Sequence, residues 1–293
     1  MNQNPSYSMT ERPVDVVNYL SIIDSGDERL NHSSSIPISL ARTLLEVDIN
    51  EVRDLTRFAE LWPAATIKNH PVFRDWKNSA RPRGFCVVGG PLVSPTSEVS
   101  TLSHLCHEVD REINNNQSKQ SFAITFFCKF RPDSRNMFIG LLGMLQSLTA
   151  QVLLRSGAEV WLSQDEEQGL QPDEDEDGED KGGQAPSREK ILLAMYVFRE
   201  ALAAALDAGT DTITCLVDWY TDYTCGPGLG DNMSAMPEIL ERFGQMLGGV
   251  GEGSRLDGLN FKLLFTSPGT QEFDRKLCER CGFDVLELDE EWR

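Results

Sequence analysis

The chain has 293 residues, of which 40% are hydrophobic, and a formal net charge of -19. That length supports one α/β domain or two small ones, and a field of that sign argues against non-specific binding to nucleic acid. No apolar run is long enough to cross a bilayer, and the polar start MNQNPSYSMTERP lacks the basic-then-apolar order of a secretory signal.

Residues 1–40 are rich in Ser, Asn and Asp. They read as a disordered segment holding one short helix near residues 14–22. Residues 41–80 read as a helical lead-in. Val52, Leu55, Phe58 and Leu61 recur at helical spacing over 48–61, and a second helix is expected over 71–77. From residue 81 the pattern alternates. Apolar runs over 85–88, 122–128, 212–217, 261–266 and 283–288 read as strands. Helices are expected over 97–114, 134–155, 187–207, 236–247 and 271–281, with Ser187 as an N-cap and Gly209 as a stop. Short apolar strands separated by helices imply crossover connections. The expected fold is therefore α/β, a mostly parallel five-stranded sheet flanked by helices over 81–293.

Ten acidic side chains and no basic one fall between Asp165 and Asp180. Residues 163–186 therefore read as a solvated, disordered acidic insertion. The seven cysteines are scattered, and Cys86, Cys128 and Cys215 sit inside apolar runs. They read as reduced, buried thiols, and an intracellular location is the expectation.

Two stretches carry the chemistry. The first is the turn Gly89-Gly-Pro-Leu-Val-Ser-Pro-Thr-Ser-Glu-Val-Ser-Thr-Leu102. A phosphate-binding loop needs glycines to turn backbone N–H groups inward, a Lys for the phosphates and a Ser or Thr for Mg²⁺. Gly89, Gly90, Ser100 and Thr101 are in place. Val99 stands where the Lys would be, Glu98 adds a negative charge, and Pro95 removes a donor. Taken alone, the stretch reads as an ordinary strand-to-helix turn. The second is Asp218, which closes an apolar strand, with Asp222 four residues on. Such a pair suits a Mg²⁺-holding carboxylate and a catalytic acid, though an Asp closing a strand also serves as a turn or cap residue. Cys278-Glu-Arg-Cys281 has no second pair at zinc-site spacing and reads as a packed helix face. His104 and His107 have no evident acidic partner, and no metal or catalytic role is expected of them.

The order of the pieces is similar to that of fungal NACHT-type STAND P-loop NTPases, which carry a nephrocystin-3-like N-terminal domain. The resemblance rests on His70-Pro-Val-Phe-Arg-Asp-Trp76, on Arg83-Gly-Phe-Cys-Val-Val-Gly-Gly-Pro91, and on Phe126-Phe-Cys-Lys-Phe-Arg131 followed by Leu142 to Leu153. Phe261 to Pro268 falls where that family has its sensor strand. The resemblance implies a strand order 5-1-4-3-2. It also implies that Ser100 is the Mg²⁺-coordinating hydroxyl with Thr101 beside it, Asp218 the Walker B carboxylate and Asp222 the catalytic acid. The missing Lys and inner glycines, together with Glu98, imply a degenerate module. Such a module would contact other proteins as a regulatory component, without NTP hydrolysis. The alternative is a nucleotide-binding STAND-type NTPase with an atypical loop, taking ATP or GTP with Mg²⁺.

Overall fold

A computed structural model describes residues 11–23, 62–89, 100–115, 118–127, 140–171, 187–218, 230–248, 255–267 and 272–288. Five strands form one sheet: β2 (Arg83–Gly89), β3 (Ser121–Phe127), β5 (Thr212–Asp218), β6 (Asn260–Ser267) and β7 (Asp284–Leu288). Their spatial order is β3-β5-β6-β2-β7, and every pairing is parallel. Counted along the chain, that is the expected 5-1-4-3-2.

The strands are mostly apolar and buried, as expected where helices cover both faces of a sheet. Alternation along each strand sorts the side chains into two cores. Cys86 and Val88 face one way, with Phe126, Cys215, Val217, Phe261 and Phe265. They meet α5 (Gly140–Ser156), α7 (Arg188–Asp207), α8 (Gly230–Gly248) and α9 (Glu272–Arg280). Phe85 and Val87 face the other way, with Phe127, Leu216, Leu264 and Leu286. There they meet α2 (Trp62–Asn69), α3 (Pro71–Asn78) and α4 (Thr101–Asn114).

The lead-in helices are fastened to this second face. Phe73, Trp76 and Phe85 pack ring on ring, with centroids 5.3 to 5.8 Å apart. Trp76 Nε1 donates to the Arg83 carbonyl at 3.0 Å. Lys262 Nζ donates to the Lys77 carbonyl at 2.6 Å, placing a cation at the C-terminal end of α3 where the helix dipole favours one. Lys68 and Lys77 both bond Glu112 across to α4, and Lys68 also reaches Glu108. Strand β3 is an outer strand, and its outward backbone groups are met by side-chain amides. Asn114 accepts from Ala123 N and donates to Ala123 O, and Gln151 does the same for Thr125.

Two stretches depart from the sequence reading. Residues 11–23, expected within a disordered segment over 1–40, form β1 (Arg12–Val14) and α1 (Val16–Ile23). The short helix near 14–22 is there, but Val14, Tyr19, Leu20 and Ile23 are core residues, and that buried apolar surface offsets the ordering entropy. The partner of β1 is β4 (Val160–Leu162), antiparallel, a strand the sequence reading misses because it is three residues long. Next, residues 163–171, assigned to a solvated acidic insertion, include α6 (Gln164–Leu170). Ser163 and Glu166 make a capping box. Asp165, Glu166 and Glu167 fill the first turn, where negative charge is favoured. Leu170 is buried and Arg12 grips Glu167 through two bonds, at 2.5 and 2.6 Å. The helices expected over 71–77, 187–207 and 271–281 lie close to α3, α7 and α9. The helix over 48–61 and the rest of the insertion lie outside the described residues.

Candidate functional site

The site lies at the C-terminal ends of β2, β5 and β6, where α4 begins. Strand β2 ends at Gly89 with φ +89°. A Cβ there would stand 2.7 Å from the Leu288 carbonyl oxygen, so glycine is required both by the left-handed backbone and by the neighbouring strand. The chain re-enters the described structure at Ser100, the N-cap of α4, whose Oγ accepts from Ser103 N at 2.9 Å. Across from it, Asp218 closes β5 beside Thr266 of β6, its register partner.

These residues form one hydrogen-bonded chain. Ser103 Oγ donates to Asp218 Oδ2 at 2.5 Å, and Thr266 Oγ1 donates to Asp218 Oδ1 at 2.7 Å. Ser100 Oγ and Ser103 Oγ are 2.7 Å apart. Because the Ser103 proton goes to the carboxylate, Ser100 must be the donor between the two hydroxyls. Ser100 and Asp218 are 3% exposed, Ser103 is 1% and Thr266 0%. A buried carboxylate is tolerated when its lone pairs are met, and charge-assisted hydrogen bonds are the strong kind. Cys106, one turn beyond Ser103, lies behind this cluster. Burial, then the charge of Asp218, pushes its thiol well above the ordinary range, which disfavours the thiolate.

The structure thus brings Ser100 and Asp218 into one cluster through Ser103, while Gly89 ends β2 two strands away from β5. Thr101 is the first residue of α4 and half-buried. Gly90 and Asp222 lie outside the described residues. Two members were not singled out from sequence. Ser103 carries a weak signal, since it stands three residues after an N-cap. Thr266 falls within the stretch matched to the sensor strand, but its place beside Asp218 follows only from the β5–β6 register. The position assigned to a Mg²⁺-coordinating hydroxyl, Ser100, is the helix N-cap, and it is Ser103 whose hydroxyl donates to Asp218.

Other polar groups on this face serve packing. Asp110 accepts from Thr125 Oγ1 and from Asn114. Burial pulls the His104 imidazole below its usual range, favouring the neutral ring. Among the described residues no group of three His, Cys, Asp or Glu side chains is arranged to hold a metal ion, and no helix is long and apolar enough to cross a membrane. Two open depressions, of about 410 and 500 Å³, lie at the opposite end of the sheet. They share Pro82, Leu247 and Gly248, and the larger is also lined by Glu241, Arg280 and Cys281.

No protein-family model matches this chain, and neither a curated protein nor a solved structure matches it. The functional reading therefore rests on the sheet order and on the geometry around Asp218.

Proposed function

We propose that this chain is a degenerate NACHT-like module of the P-loop NTPase fold, which acts through contacts with other proteins as a regulatory component and does not hydrolyse NTP. The observation that carries the reading is the state of Asp218. In this reading it takes the place of the Mg²⁺-holding carboxylate, yet both oxygens accept hydrogen bonds from protein hydroxyls, and the cluster is buried.

A nucleotide also needs positive charge, and the donor set does not fit one. The stretch Gly89 to Thr101 has no Lys or Arg and carries Glu98. Losing one charge-assisted phosphate contact costs about 1.5–3 kcal/mol, or on the order of 10- to 150-fold in affinity. The transition state, which gathers charge on the transferred phosphoryl group, would be met worse still. The second reading, a nucleotide-binding STAND-type module taking ATP or GTP with Mg²⁺, is favoured by one observation. Two serine hydroxyls and a strand-end carboxylate converge as a Mg²⁺ site requires.

Calorimetry with ATP and with GTP, each with and without Mg²⁺, separates the two readings when run beside a phosphate-release assay. The expected result is no hydrolysis above background and no change in that assay with Asp218→Ala. Mg²⁺-dependent turnover that Asp218→Ala abolishes would overturn the proposal.

A further inference from the structure

We infer that Cys86 and Cys278 form a disulfide-forming pair, a modification site that peroxide oxidation closes and thiols reopen, with Cys281 as its point of entry. Cys86 lies in the middle of β2 and Cys278 in α9, which crosses over it. The Cys278 thiol donates to the Cys86 sulfur at 3.2 Å, although the residues are 192 positions apart in sequence. Both are fully buried in the apolar core. A disulfide has a sulfur–sulfur bond of about 2.05 Å, so closure needs a movement of about 1.1 Å. The two sulfurs are already nearly in contact, so closure calls for a small movement of the two side chains and of α9 against β2.

Cys281 supplies the route for the oxidant. It follows α9 by one residue, its N–H still bonds the Leu277 carbonyl, and it lies one helical turn from Cys278. It is partly exposed, where Cys86 and Cys278 are not, and it lines the larger open depression. The chemistry balances with a peroxide as oxidant. The Cys281 thiolate attacks hydrogen peroxide, giving a sulfenic acid and hydroxide. Cys278 displaces water from that sulfenic acid, forming a Cys278–Cys281 disulfide. Cys86 then attacks the Cys278 sulfur and releases the Cys281 thiolate. The net change is two thiols and one peroxide to one disulfide and two waters.

Burial, then the neighbouring Cys278 and Glu241, push the Cys281 thiol up to about 11. Its thiolate is therefore scarce at neutral pH, and the first step is slow and rises about tenfold per pH unit up to the titration. The bond itself, once formed, closes a loop of most of the domain. Long loops give disulfides their largest effect on the unfolded chain.

The test uses the full 293-residue chain. Reduced protein is exposed to hydrogen peroxide at pH 7 and at pH 9, quenched with a maleimide under denaturing conditions, and mapped by mass spectrometry without reduction. The expected product is a peptide pair joined through Cys86 and Cys278, two hydrogens lighter than the free peptides. It should form faster at pH 9. The thermal midpoint should rise by about 5 °C or more and fall back with dithiothreitol. Cys281→Ser should give the same product at a rate at least several-fold lower. A Cys278–Cys281 disulfide or an over-oxidised Cys281 as the end product, with Cys86 still alkylated in full, would overturn the pair. An unchanged rate in Cys281→Ser would overturn the entry role.

Discussion

Asp218→Ala is expected to destabilise the fold, and its size follows from the contacts. Two charge-assisted hydrogen bonds end on the carboxylate, from Ser103 and Thr266. Each contributes about 1.5–3 kcal/mol. Truncation leaves both hydroxyls buried without that acceptor and also interrupts the Ser100 relay into Ser103. Against this, removal of a buried charge relieves its desolvation cost. The net loss is about 2–4 kcal/mol. A domain of this size loses roughly 2–4 °C per kcal/mol, so the midpoint should fall by about 4–16 °C. Asp218→Asn is the internal control. Its amide oxygen still accepts from one hydroxyl and its N–H can donate to the other, so the loss should be about 1 kcal/mol. Thermal and urea unfolding followed by circular dichroism at pH 7 reads both variants. A carboxylate kept only to await a cation would be a source of strain, and its removal would leave stability unchanged or raise it. A midpoint for Asp218→Ala equal to or above that of the parent therefore refutes the reasoning.

Two further outcomes are expected. Burial raises the Glu112 carboxyl, but hydrogen bonds from Lys68 and Lys77 outweigh it and hold the group below its usual value. A depressed folded pKa means stability present above the unfolded pKa and lost as pH falls through the folded one. Glu112→Gln should therefore lower the urea midpoint at pH 7 and have a smaller effect at pH 3; an equal effect at both would contradict the assignment. Deleting residues 165–183, which composition alone marks as neutral, should lower the thermal midpoint by several degrees, because it removes buried Leu170 and the Glu167 partner of Arg12. A midpoint within error of the parent would show that α6 adds nothing.

The sheet was legible because its five strands are short, mostly apolar runs that alternate with helical patterns, and their length and flanking turns set them apart from buried helix segments. Ser187 was legible because an N-cap is a local event, whereas the cap at Ser100 was not, since the sequence pattern places the start of that helix at residue 97. What escaped depends on distant partners. Val160–Leu162 is a strand only because Arg12–Val14 comes back to pair with it. The ten acids between Asp165 and Asp180 dominate the local composition and hide a capping box at their start. The candidate site divides the same way. Asp218 announces itself by closing an apolar strand, and Ser100 by its place at the close of a glycine-led strand-to-helix turn. Ser103 joins them only once α4 is laid across the strand ends, and Thr266 only once β6 is set beside β5.

The amides on β3 limit what this sheet can grow into. An unpaired strand edge is a template for another chain. Asn114 and Gln151 each occupy the donor and the acceptor of one outward-facing residue, standing in for a neighbouring strand along the middle of β3. Within this sheet, further strand addition is left to the β7 side, since β7 is the other terminal strand. Two copies joined through that one side would close on each other about a two-fold axis. Among the described residues, the side-chain amides at Ala123 and Thr125 make the β3 edge a poor template, so growth of this sheet into a fibril through that edge is disfavoured.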